Sequence, residues 1–181
     1  MRGAERISNL YVTIPLLILV ALCESTVLPH LQVGQTQPDL TLLVVGAWSL
    51  RRGVEEGALW GFGGGILLDL LSAGPLPGAT FGLLAVSLVL GVDPSTGLGR
   101  RQARSSEVNP LAVILGVVLA TLTFHLVLLT MLQLTDRPLD WVYAGTRVVV
   151  PRMLFNLALM PVVYGLLGRL DRRTRREELV L

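Results

Sequence analysis

The chain has no lysine. All fifteen of its basic residues are arginine, so its glycine-rich stretch GFGGG lacks the lysine with which a phosphate-binding loop reaches the terminal phosphates. There is one cysteine, Cys23, which excludes an internal disulfide and offers no metal cluster. Of the two histidines, His125 falls inside an apolar run and His30 in a loop, and neither sits beside a serine on a strained turn as a hydrolytic nucleophile requires. Asp69 follows Leu68 in an apolar run, without the second acid and partner motif of an aspartyl protease. No catalytic residue, metal site or cofactor is therefore expected. Charged residues make up only 15% of the chain and aromatics 6%, too few aromatics for a well-furnished small-molecule pocket.

What is abundant is apolar side chain. Hydrophobic residues account for 52% of the sequence and the mean hydropathy is +0.65, more than a soluble core of this size needs. The segments are apolar on all sides, the pattern of helices surrounded by lipid or by other helices. Six such runs are readable, at 10–28, 38–50, 54–71, 78–92, 110–134, and from 145 or 151 to 167. They predict an all-α integral membrane protein with about six transmembrane helices in one polytopic domain over 1–181. The first run is read as an uncleaved helix, since no small-x-small site follows it and Val20-Ala21-Leu22-Cys23 lacks the small residue expected before a lipidated cysteine. The second run is short for a span. It and the third are either tilted or form a re-entrant hairpin, which needs surrounding protein to satisfy its backbone.

The arginines orient these runs. With six helices, Arg2, Arg6, Arg51, Arg52, Arg100, Arg101, Arg104 and the five arginines after residue 168 lie on one side, and Arg137 alone lies in a loop on the other. The positive-inside rule then places both termini in the cytoplasm. Trp48, Trp60, Tyr11 and Tyr164 fall toward the inner interface, and Trp141 and Tyr143 toward the outer one. The arginine-rich tail at 169–176 reads as a topology anchor touching anionic lipid, not as a nucleic-acid site.

Two sets of residues stand out within the apolar runs. Gly57, Gly61 and Gly65 recur every four residues, with Asp69 four further on, so a helix carries them as one stripe ending in a carboxylate. Such a stripe lets another backbone approach closely, either from the same chain or from a partner helix. The second set is the intramembrane ionisable and polar group of Glu24, Asp39, Asp69, Arg147, Arg152 and Asn156, all at the outer ends of their runs, where opposite charges at like depth invite pairing. Asp69 with Arg152 is the expected ion pair, and Asn156, one turn below Arg152, extends it. Asp39 and Arg147 are expected to snorkel to the outer headgroups. His125 is expected to be a hydrogen-bonded packing residue.

Pro38-Asp39 opening a leucine-rich second span, Arg52-Gly53 ahead of GALWGFGGGILLDLLSAGPLPG, and a last span with Arg152, Asn156 and Pro161 resemble the rod shape-determining protein MreD family over most of the chain. The resemblance implies a non-enzymatic scaffold in the bacterial plasma membrane that binds the transmembrane anchor of MreC. It implies work alongside MreB, RodA and a class B penicillin-binding protein in side-wall peptidoglycan synthesis, and a homodimer is a further candidate. It also implies a fold like the substrate-binding subunits of energy-coupling-factor transporters. The alternative reading is a small-molecule binding subunit of a transporter, weakened by the absence of an Ala-x-x-x-Ala face on the first run.

Overall fold

The computed structural model describes residues 14–31, 36–72, 77–91, 110–135 and 140–178. Tyr11, Arg2, Arg6, Arg100, Arg101, Arg104 and Arg137 lie outside the described residues, as do the side chains of the tail beyond Arg169. Six helical rods make up the described chain. α1 is Ile14–His30, with a π-helical turn at Cys23–Val27. α2 is Leu40–Arg52, α3 Val54–Leu71, α4 Gly78–Gly91 and α5 Pro110–Gln133. α6 starts at Trp141–Ala144, passes through a π turn at Gly145–Val149 and runs on as Val150–Glu178. Two helical segments, Leu111–Gln133 and Trp141–Arg169, are long and apolar enough to cross a membrane.

The centre of the bundle is α2. Its thirteen residues rise only about 20 Å, short of a hydrocarbon layer of about 30 Å, yet every residue from Thr41 to Leu50 is buried. α3, α4, α5 and α6 all pack on it, and Leu17, Val20 and Ala21 of α1 join the same core. The second run is short because protein surrounds it on all sides, so it has no need to match the lipid thickness. α2 turns into α3 through Gly53 alone, whose φ of 88° is a left-handed value that glycine adopts without the Cβ clash of other residues.

α3 shows why the core sits where it does. Its inward residues are Gly57, Gly61, Gly64 and Gly65 with Trp60, Leu68 and Asp69, while Leu59, Phe62, Ile66 and Leu70 are exposed. Small residues inside and large apolar residues outside is the arrangement of a helix whose solvent is lipid, because close backbone approach, and not exclusion of water, holds its neighbours. α5 repeats it, with Gly116, Val117, Ala120 and Thr121 buried and Leu115, Leu119, Leu122 and Leu126 exposed or nearly so.

Three of the aromatics expected toward the inner interface are packed inside the bundle. Trp48 and Trp60 stack at 4.3 Å between ring centroids and are almost fully buried, as is Tyr164. The Arg51 guanidinium lies 3.9 Å over the Tyr164 ring, and Arg51 Nη2 donates to the Tyr164 carbonyl oxygen at 3.1 Å. These rings close the core at the arginine end of α2. Trp141 and Tyr143 are exposed. The last helix also begins earlier than either start read from the sequence. Pro151 lacks an N–H and its ring crowds the carbonyl four residues back, and the π turn immediately before it lets the helix continue through the proline.

Candidate functional site

At the end of α2 opposite Arg51 and Arg52, polar side chains from four helices meet. Pro38 disfavours a helical conformation in the residue before it, so α2 starts abruptly with Asp39 as its N-cap. The first backbone N–H groups of a helix have no partner within it, and here two of them are satisfied from other helices. Thr41 N donates to Glu24 Oε2 at 2.7 Å, and Asp39 N donates to Asn156 Oδ1 at 2.9 Å. Glu24 reaches that position from the π turn of α1.

The Asp39 carboxylate is turned away from its own helix. Oδ1 accepts from Arg152 Nη1 at 2.8 Å and Oδ2 accepts from Asn156 Nδ2 at 3.2 Å. Asn156 also donates to Thr121 Oγ1 at 3.2 Å. His125 Nδ1 is 2.9 Å from the Thr121 carbonyl oxygen, and its Nε2 is 3.7 Å from Asp39 Oδ2 with no hydrogen-bond partner. Asp39 is thus buried, at 2% exposure, and ties α2 to α6; it does not snorkel. Charge-assisted bonds are favourable here because a buried carboxylate without such partners is very costly.

A second helix start is built the same way. Asp69, at the last turn of α3, accepts from Ala79 N at 2.8 Å, Thr80 N at 2.9 Å and Thr80 Oγ1 at 2.6 Å. It therefore caps α4. The expected pair of Asp69 with Arg152 is not formed: α4 occupies the acid, and the arginine goes to Asp39. The reason is reach, since the open N-terminus of α4 lies within hydrogen-bond distance of Asp69 and supplies three donors at once. Arg147, grouped with these residues by depth and expected to snorkel, is exposed and does not line the cavity described below. Glu24, Asp39, Arg152 and Asn156 are brought together, with Asp69 on the facing wall.

The glycine stripe above Asp69 is occupied by the chain itself. A Cβ on Gly61 would meet the Leu83 carbonyl oxygen at 2.9 Å, and one on Gly65 would run into the backbone of Thr80. Ser87 Oγ donates to the Gly57 carbonyl oxygen at 2.8 Å. Of the two roles open to the stripe, packing within the subunit is the one seen, with Ser49 of α2 against Gly57 and α4 against Gly61 and Gly65. Thr80, Ser87 and Thr121, which sequence reasoning missed, are the hydroxyls of these contacts. Their one visible signal was being small polar residues inside otherwise apolar runs.

Between the two capped helix starts lies a cavity of about 390 Å³. Glu24, Asp39, Asp69, His125 and Arg152 contribute its polar wall, and leucines of α3 and α5 its apolar wall. No group of metal-ligating side chains forms among the described residues. The carboxylates are already engaged as caps and ion-pair partners, so the arrangement holds helices in place.

The family model of the rod shape-determining protein MreD matches residues 5–170. No curated protein and no solved structure matches. With that match covering nearly the whole sequence and a bundle whose large apolar side chains face outward, the chain belongs to the MreD family of rod shape-determining membrane proteins.

Proposed function

We propose that this chain is a non-enzymatic, multi-pass subunit of the bacterial cell-elongation complex. It binds the transmembrane anchor of MreC and helps to organise side-wall peptidoglycan synthesis, with MreB, RodA and a class B penicillin-binding protein as associated partners. In this reading the chain crosses the plasma membrane six times, both termini are cytoplasmic, and the capped helix starts and their cavity face outward. The observation that carries the proposal is the family match over residues 5–170; the consumption of Asp39 and Asp69 in structural bonds supports a scaffold over an enzyme. The packing of the glycine stripe against α2 and α4 of the same chain supports a partner face on the outside of the bundle.

The test is co-purification from the native membrane in mild detergent. MreC is expected as the main partner, and a folded, monodisperse protein that captures no MreC would refute the reading. A second reading, a small-molecule binding subunit with a fold like that of energy-coupling-factor substrate-binding subunits, is favoured by the 390 Å³ cavity, a volume in the usual range for ligand pockets. Capture of a transport ATPase in place of MreC would select it.

A further inference from the structure

Two sides of the bundle carry apolar belts of different height. On α6 the exposed large apolar residues run from Val142 to Leu166, and on α5 from Leu111 to Leu134, which is about 36 and about 35 Å at the helical rise of about 1.5 Å per residue. On α3 they run only from Leu59 to Leu71, about 18 Å, and the whole of α4, Gly78–Gly91, rises about 20 Å. α3 packs mainly on α2 and α4, and α6 on α2 and α5, so the short belt and the tall one lie on different sides of the bundle.

The difference is made at one end. At the arginine end the two sides are level: the Arg51 guanidinium lies against Tyr164 and Gly168 of α6, and a Cβ on Gly91 of α4 would meet the backbone N of Val54, beside Arg52, at 2.6 Å. From there α3 reaches Leu70 in about 24 Å, whereas α6 runs about 39 Å from Gly168 to Val142. The short side stops in polar groups. Asp69 caps α4 at that height, Ser72 beyond it is exposed, and Arg152, about 24 Å along α6 from Gly168, keeps 24% of its side-chain surface open.

A flat hydrocarbon layer of about 30 Å fits neither belt. Tilting the whole molecule shortens both projections, which corrects the tall side and worsens the short one. A uniformly thin layer leaves Val142, Tyr143 and Val150, all exposed, in water, and a uniformly thick one surrounds Ser72 and the open edge of Arg152 with hydrocarbon, which is costly for a charge. We propose that the protein holds a step in the bilayer around it. Along α3 and α4 the leaflet opposite Arg51 and Arg52 is drawn down to Ser72 by lipids of short acyl chain, and along α5 and α6 it stands at full height up to Val142. In the topology proposed above this is the outer leaflet, but the step depends neither on that assignment nor on the protein partner.

The experiment uses the full chain alone in phosphatidylcholine nanodiscs, with Cys23→Ala and a nitroxide attached at Leu70→Cys or at Val150→Cys, both exposed positions. Electron spin resonance reads the access of oxygen and of a water-soluble nickel chelate to each label. Val150 stands about 27 Å from Gly168, farther out than Leu70, so a flat bilayer makes it the more aqueous of the two. The step reverses that order, and the chelate is expected to favour Leu70 and oxygen to favour Val150. Equal access, or a more aqueous Val150, overturns the proposal. So does a Leu70 label that neither probe reaches, which places a second copy of the chain on the short face. A second measurement needs no variant. In nanodiscs of equal dimyristoleoyl- and dioleoyl-phosphatidylcholine, the lipids retained in native mass spectrometry are expected to be enriched in the shorter chain by about twofold, or about 0.4 kcal/mol, and equal retention overturns the step.

Discussion

Asp69 accepts three hydrogen bonds from the first turn of α4, and its removal takes the acceptor from every one of those donors. Each unsatisfied buried donor costs about 1–3 kcal/mol. Asp69→Ala is therefore expected to lower the unfolding midpoint in detergent more than Asp69→Asn, which retains one acceptor oxygen; equal effects would show that the cap contributes little. The arginine partner is tested by double-mutant cycles. Asp39 and Arg152, in contact at 2.8 Å, are expected to show a coupling of about 0.5–3 kcal/mol, and Asp69 with Arg152, which share no bond, to be additive within about 0.5 kcal/mol. Unfolding measured on the single and double changes to apolar residues decides between the two pairings. The sequence carried these residues as an ionisable set but not their pairing. Asp39 and Arg152 are separated by 113 positions, and depth along a run says nothing about which way each helix is rotated. Asp69 reads from the sequence as one more intramembrane charge because the feature that claims it, the bare start of α4, is a backbone property.

At the level of the helix, the glycines of α3 are not equivalent, although all fall in one glycine-rich stretch. A Cβ on Gly65 collides with backbone, which cannot swing aside, while one on Gly63 meets its nearest neighbour, Leu17 Cδ1, at an ordinary 3.5 Å. Gly65→Ala is expected to destabilise by about 1–3 kcal/mol through overpacking. Gly63→Ala is expected to be neutral or to stabilise by up to about 1 kcal/mol, the helix-propensity difference. Folded protein recovered from membranes and its unfolding midpoint measure both. Gly61→Leu extends the argument, since it pushes into the Leu83 carbonyl of α4. Its expected result is loss of folded protein; normal insertion with selective loss of MreC capture would return the stripe to a docking role. The four-residue spacing made the close approach legible. It left the identity of the approaching backbone open, because a row of glycines is equally receptive to a helix of its own chain and to one of another.

For the molecule as a whole, topology is the testable matter. A reporter active only outside the cytoplasm, fused after Leu181, is expected to be silent, and a strong signal there would overturn the six-span arrangement. Composition alone was enough to place the chain in a membrane, since half of it is hydrophobic and its runs are apolar on every face. The arginine distribution was enough for an expected orientation, and Pro38-Asp39 with the glycine stripe for the family. These are properties that a segment carries in isolation, and they survive without knowing its neighbours. The central position of α2, the burial of Trp48, Trp60 and Tyr164, the capping of α4 by Asp69 and the cavity between two helix starts are relations between segments. They depend on the rotation and depth of one helix against another, quantities set by the simultaneous fit of side chains from six rods. No single run encodes them, and so the glycines and carboxylates visible in the sequence acquired their partners in the folded bundle.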